Sequence, residues 1–164
     1  MPGEAVIPGK RHVYRVTVAW AGNLGQGTPS YSGYGRDHVI SAGAKPPIAG
    51  SSDAAFRGNP ARWNPEDLQV AAISACHKLW YLHLCATSGI SVISYRDEAQ
   101  GTMEEDASGA GRFVAAVLRP RIVIAAGDDM ARAARLHDQA HALCFIANSV
   151  NFSVTCEPVI ERGR

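Results

Sequence analysis

The stretch from position 64 to position 87 constrains the fold most, because it joins a complete helix-start signal to a long apolar run. Asn64 supplies a cap, and Pro65 takes the first helical position, where its missing N–H costs nothing. Glu66 and Asp67 meet the positive end of the helix dipole. From Leu68 to Ala86, Ala71, Ala72 and Ala75 stand among Leu68, Val70, Ile73, Leu79, Leu82 and Leu84. A helix apolar on nearly every side is expected to be buried, and Gly89 is expected to end it. Cys76 sits near its middle.

The other elements are predicted around that rod. Tyr14, Val16, Val18 and Trp20 alternate with Arg15, Thr17 and Ala19, the two-residue period of a strand with one buried face. After a Gly-rich turn at 22–27, the run 32–40 is expected to pair back as a hairpin, with Tyr34, Arg36, His38 and Ile40 on one face. Residues 41–63 show no helical or strand period, and connections inside domains usually run to only ~4–6 residues. They read as a long active-site loop. Beyond the helix, 90–100 and 113–124 are predicted strands around a small and acidic loop. Asp128 and Asp129 open a second helix through Leu143, and 152–160 is a closing strand. The expected architecture is α+β, in the order β-β-α-β-β-α-β, with two main helices backed by antiparallel sheet. It forms a single domain over 1–164, with 1–10 a loose N-terminal arm.

Composition excludes several functions. At 164 residues the chain can bury a core without disulfide staples, and its net charge of +1 gives no steering field for nucleic acid or a membrane surface. The first residues have no basic flank and no apolar core of a secretory signal, and nowhere do eighteen apolar residues run together. A cytoplasmic protein is expected. Four cysteines in a chain of this kind are core residues, catalytic groups or ligands rather than a disulfide framework.

Cys76 and Cys144 are the candidate chemical groups, the second at the end of the second helix. A free thiol has a pKa of ~8.5 and apolar burial raises it, so a reactive Cys76 needs a cation nearby. Arg36 is the first candidate, and Arg57 and Arg62 in the long loop are its rivals. The plain alternative makes Cys76 a small core residue and Arg36 a solvated strand residue. Cys144 has a second reading: His137, His141 and Cys144 fall at i, i+4 and i+7 on one helix, a spacing that suits zinc if a fourth ligand comes from elsewhere. A surface histidine pair is the plainer reading there. Cys85 and Cys156 read as core packing.

Three runs carry a resemblance: Asn64-Pro65-Glu66-Asp67-Leu68, Ser74-Ala75-Cys76, and Cys144-Phe145-Ile146-Ala147-Asn148-Ser149-Val150-Asn151-Phe152. Together they resemble the OsmC/Ohr family, the osmotically inducible and organic-hydroperoxide-resistance proteins, from about residue 11 to 160. Phe145 and Ile146 stand where the hydroperoxide-resistance branch has Pro and a polar residue, which places the chain nearer the OsmC-like branches. The resemblance implies a thiol-dependent hydroperoxide reductase, without cofactor or metal, that prefers organic peroxides. Cys76 would be oxidised to a sulfenic acid, Cys144 would close a disulfide with it, and an external dithiol would reduce the pair. It also implies roles for Arg36 and Glu66. Glu66 and Cys76 are ten residues apart on one helix, about 15 Å, too far to share a site within one chain. Antiparallel packing of two such helices would pair 66 with 76 and centre the crossing on position 71, where Ala71 and Ala72 permit close approach. An intertwined homodimer with shared active sites is therefore expected. The rival from another class is a stress-related dimer that holds an apolar ligand without turnover.

Overall fold

In the computed structural model, which describes residues 9–163, the first strands are β1 (Thr17–Trp20), β2 (His38–Ser41) and β3 (Ile48–Gly50). Residues 1–8 of the expected arm lie outside the described residues. The two halves of the chain, up to Pro65 and from Glu66, are separate compact units. In the first, β1 pairs antiparallel with β2, placing Trp20 opposite His38, and β2 pairs antiparallel with β3. A Cβ at Gly50 would sit 2.2 Å from His38 Nε2, so any larger residue there would require the His38 ring to move.

Three expectations change here. The hairpin exists, but the second run is a strand only over 38–41. Residues 31–34 form turn and bend, shaped around the carbonyls of Tyr31 and Tyr34 that Arg36 binds. Val16 and Val18 are exposed rather than forming a buried face. Residues 41–63 are not structureless, since they contain β3 and a 3-10 turn at Ala54–Phe56 capped by Asp53. The segment then returns beside itself: Ser51 N–H donates to Trp63 O (2.9 Å), Trp63 N–H donates to Ala49 O (3.2 Å), and Asn59 N–H donates to the buried Ser51 Oγ (3.0 Å). A three-residue strand is too short to show a period.

The second unit contains α1 (Pro65–Thr87), β4 (Val92–Asp97), β5 (Gln100–Glu105), β6 (Gly111–Leu118), β7 (Pro120–Ile124), α2 (Met130–Leu143), β8 (Ser153–Cys156) and β9 (Val159–Arg162). Each of its three predicted strands is interrupted once and passes between two three-stranded sheets, β4-β7-β9 and β5-β6-β8. The breaks fall at 98–99, at Arg119 and at 157–158, and Arg119 laces them together. Its N–H donates to Asp97 Oδ1 (2.7 Å), Nε to Glu157 Oε2 (3.1 Å) and Nη1 to Gln100 Oε1 (3.2 Å). The β4–β7 and β5–β6 pairs are antiparallel, whereas β8 and β9 join in parallel, so the sheets are mixed.

Helix α1 buries Ile73, His77, Tyr81 and Cys85, a stripe at four-residue intervals. Ile73 packs with Ala116 and Leu118 in one core cluster. Tyr81 and Cys85 join Ile90, Ile122, Ile124, Ala133, Leu136 and Ala140 in the other. The helix is not buried all round, because within one chain only that stripe is fully covered. Ala71, Ala72 and Ala75 are exposed, and so is Leu79, at 63%.

Candidate functional site

Cys76 lies one residue off the buried stripe of α1 and is half-buried, while Cys144 forms the C-cap of α2 and is fully buried. The chain turns at Cys144 because the backbone leaves the helical region there (φ −69°, ψ 107°) while its N–H still bonds His141 O at 3.2 Å. The turn is fixed by Asn148, whose N–H donates to Cys144 O (3.0 Å) and whose Nδ2 donates to Ala142 O (3.0 Å). Beside it, Trp80 of α1 meets Phe145 edge-on at 5.6 Å.

The fold makes the two thiols interacting neighbours, and both are free. Burial pushes the Cys144 thiol up to about 11, the Cys76 thiol adds to the rise, and the N–H of Ala147, 3.5 Å from Sγ, partly offsets it. The pair is therefore asymmetric. A half-buried thiol can meet a solute, and a buried, protonated thiol waits behind it.

Glu66 occupies the first turn of α1 with its Oε2 buried and without a hydrogen-bond partner among the described residues. In the other unit, the Arg36 guanidinium is held by its own loop. Nη1 donates to Tyr34 O (2.5 Å) and Nη2 to Tyr31 O (2.6 Å), and its carbon lies 4.0 and 4.6 Å from the centres of the Tyr34 and Tyr31 rings. Arg62 pairs with Asp37 at 3.0 Å. Arg57 has a left-handed backbone (φ 65°) and lies 5.9 Å from the Tyr31 ring.

The arrangement of His137, His141 and Cys144 as a zinc triad does not hold: His141 is exposed, Cys144 faces Cys76, and His137 turns inward. His137 instead meets His77, with Nδ1 and Nε2 3.0 Å apart, and Cys156 Sγ lies 3.7 Å from each nitrogen. The imidazole planes differ by 6° with centres 5.3 Å apart, so the rings lie side by side in nearly one plane, and Tyr81 stacks on His137 at 3.8 Å. Burial, then the charge of His77, lowers His137 to about 3; burial also lowers His77, and it raises Cys156 to about 12. Both histidines are neutral and the thiol protonated at neutral pH. This cluster was missed because its members come from α1, α2 and β8. The available signal was that His77 shares the four-residue stripe of Ile73, Tyr81 and Cys85.

Residues 58–158 match the family profile described as OsmC-like protein. Among solved structures, the chain is similar to an OsmC-like protein of unknown function from Vibrio cholerae. The identity is 28% and the TM-score 0.81, over 91% of this chain and 100% of that one. It is also similar to organic hydroperoxide resistance proteins from Elizabethkingia anophelis (15% identity, TM-score 0.67, 94% and 99% covered) and Bacillus subtilis (19%, 0.61, 92% and 98%). No curated protein matches the chain. The α+β fold, two helices with mixed sheets, is the one shared with these structures.

Proposed function

The chain belongs to the OsmC-like family, and on that premise we propose that it is a thiol-dependent peroxidase that reduces hydroperoxides in oxidative-stress defence in the cytoplasm. The observation that carries the reading is the pairing of a half-buried Cys76 with a fully buried Cys144 close enough for the two thiols to interact. The Cys76 thiolate attacks the outer peroxide oxygen, the alcohol leaves, and Cys76 becomes a sulfenic acid. The Cys144 sulfur attacks Cys76, water leaves, and the disulfide forms before further oxidation can occur. An external dithiol restores both thiols by exchange. Trp80 and Phe145 beside the pair support an organic hydroperoxide over strongly hydrated H2O2.

Arg36 is assigned to thiolate stabilisation and Glu66 to holding that guanidinium, in a homodimer whose sites draw on both chains. Two features support this: the unpartnered Glu66 Oε2 is an acceptor suited to an arginine, and the exposed Ala71, Ala72, Ala75 and Leu79 form an apolar surface for a second α1. The test is peroxide consumption with cumene hydroperoxide and a dithiol. Wild type should turn over, Cys76→Ser should consume nothing, and Cys144→Ser, assayed with the dithiol left out, should consume a single equivalent without forming an intramolecular disulfide. Equal rates in wild type and Cys76→Ser would overturn the assignment.

A further inference from the structure

The second unit holds a group of side chains that the peroxidase reading leaves unused. His77 from α1, His137 from α2 and Cys156 from β8 present Nε2, Nδ1 and Sγ within 4.8 Å of one another. A zinc ion with tetrahedral angles, Zn–N of ~2.0–2.1 Å and Zn–S of ~2.3 Å requires ligand atoms roughly 3.3 Å apart for two nitrogens and roughly 3.6 Å apart for nitrogen and sulfur. The separations here are 3.0 Å and, twice, 3.7 Å. The triangle is already within a few tenths of an ångström of a coordination face.

The pair's internal hydrogen bond does not fully satisfy it. Two neutral imidazoles carry two N–H groups and share only one between them. His77 Nδ1 and His137 Nε2 are both buried without a partner among the described residues. Whichever tautomers are adopted, one N–H remains buried and unbonded, a cost that an ordinary core packing site would avoid. Asp97, Asp138 and Glu157 also act electrostatically on Cys156. Their charges disfavour a bare thiolate and favour a cation bound to it. Asp97 is fixed in place by Ser74 Oγ (2.5 Å) and the Arg119 N–H (2.7 Å).

We propose that His77 Nε2, His137 Nδ1 and Cys156 Sγ bind a zinc ion, through two imidazoles and a thiolate, with the fourth position open to a small ligand. On binding, Cys156 releases its proton to solvent and the two imidazoles turn outward from their mutual hydrogen bond. The ion ties α1 to α2 at positions next to the redox pair: His77 follows Cys76, and His137 lies two turns before Cys144. It also withdraws Cys156 from disulfide exchange, leaving Cys76 and Cys144 as each other's partners.

The test uses the full, reduced, chelator-stripped chain titrated anaerobically with Co2+, then with Zn2+. We expect one Co2+ per chain with near-ultraviolet thiolate-to-cobalt absorption and tetrahedral visible bands, all displaced by Zn2+. The absorption should persist in Cys76→Ser/Cys144→Ser and be lost in Cys156→Ser. If Cys156→Ser does not fold, alkylation of the wild-type chain decides: Zn2+ should protect Cys156 and leave Cys76 reactive. Absence of stoichiometric binding, absorption that follows Cys76 or Cys144 instead, or unprotected Cys156 in the presence of Zn2+ would each overturn the proposal. None of these readouts depends on peroxidase activity, so failure here is distinct from failure of the proposed function.

Discussion

The division of labour between the two thiols follows from the ionisation of Cys144, which can be measured directly. Its thiol is 0% exposed, and burial is the largest cause of its rise from 9.0 to about 11. That rise corresponds to roughly 3 kcal/mol against the thiolate, and to a thiolate fraction at neutral pH about a hundredfold below that of an ordinary cysteine. Replacing Cys76 with Ser removes the neighbouring sulfur but leaves the burial, so the ionisation should remain high. Site-resolved alkylation of Cys144 in Cys76→Ser, followed by mass spectrometry, should show a rate that rises about tenfold per pH unit and levels off only near 11. Restricted access lowers the whole profile without changing its slope. A plateau at pH 8.5–9 would refute the claim that burial, rather than its neighbour, keeps Cys144 protonated.

Three further outcomes follow from the structure. Ile73→Ala should lower unfolding stability by about 2–5 kcal/mol in urea titrations, because Ile73 is fully buried against Ala116 and Leu118. Asp97→Ala should cost about 1–3 kcal/mol by the same measurement, since it removes the acceptor for both Ser74 Oγ and the Arg119 N–H where the strands bend. In chelator-stripped protein, His77 and His137 have folded-state values below their ordinary 6.5 and the unfolded chain takes up protons first. Their contribution is complete above 6.5 and falls as pH drops below it; for His137 the loss runs on towards about 3, by about 1 kcal/mol per pH unit, read as a falling urea midpoint.

Much of this fold is legible in the chain because its signals are local. Asn64, Pro65, Glu66 and Asp67 mark the start of α1, and Asp129 marks α2 by accepting the Arg132 N–H at 3.0 Å. The order of elements follows from those two helices. The interruptions of the strands were harder to see: Pro120 and Pro158 stand beside two of them, yet the lacing comes from Arg119 reaching residues 19 and 38 positions away. The apolar composition of α1 indicated burial without specifying by what, and one chain covers only the stripe of Ile73, His77, Tyr81 and Cys85. Individual site residues could be picked out, but their grouping could not. Nothing local says that Cys144 meets Cys76, or that His137 turns from His141 on its own helix to His77, sixty positions earlier.

The most direct test of the central claim is the fate of the thiols after one equivalent of cumene hydroperoxide. The account predicts the loss of two thiols per chain and a Cys76–Cys144 link in peptide maps, with Cys85 and Cys156 still reduced. Unchanged thiols, or a disulfide joining any other pair, would contradict it.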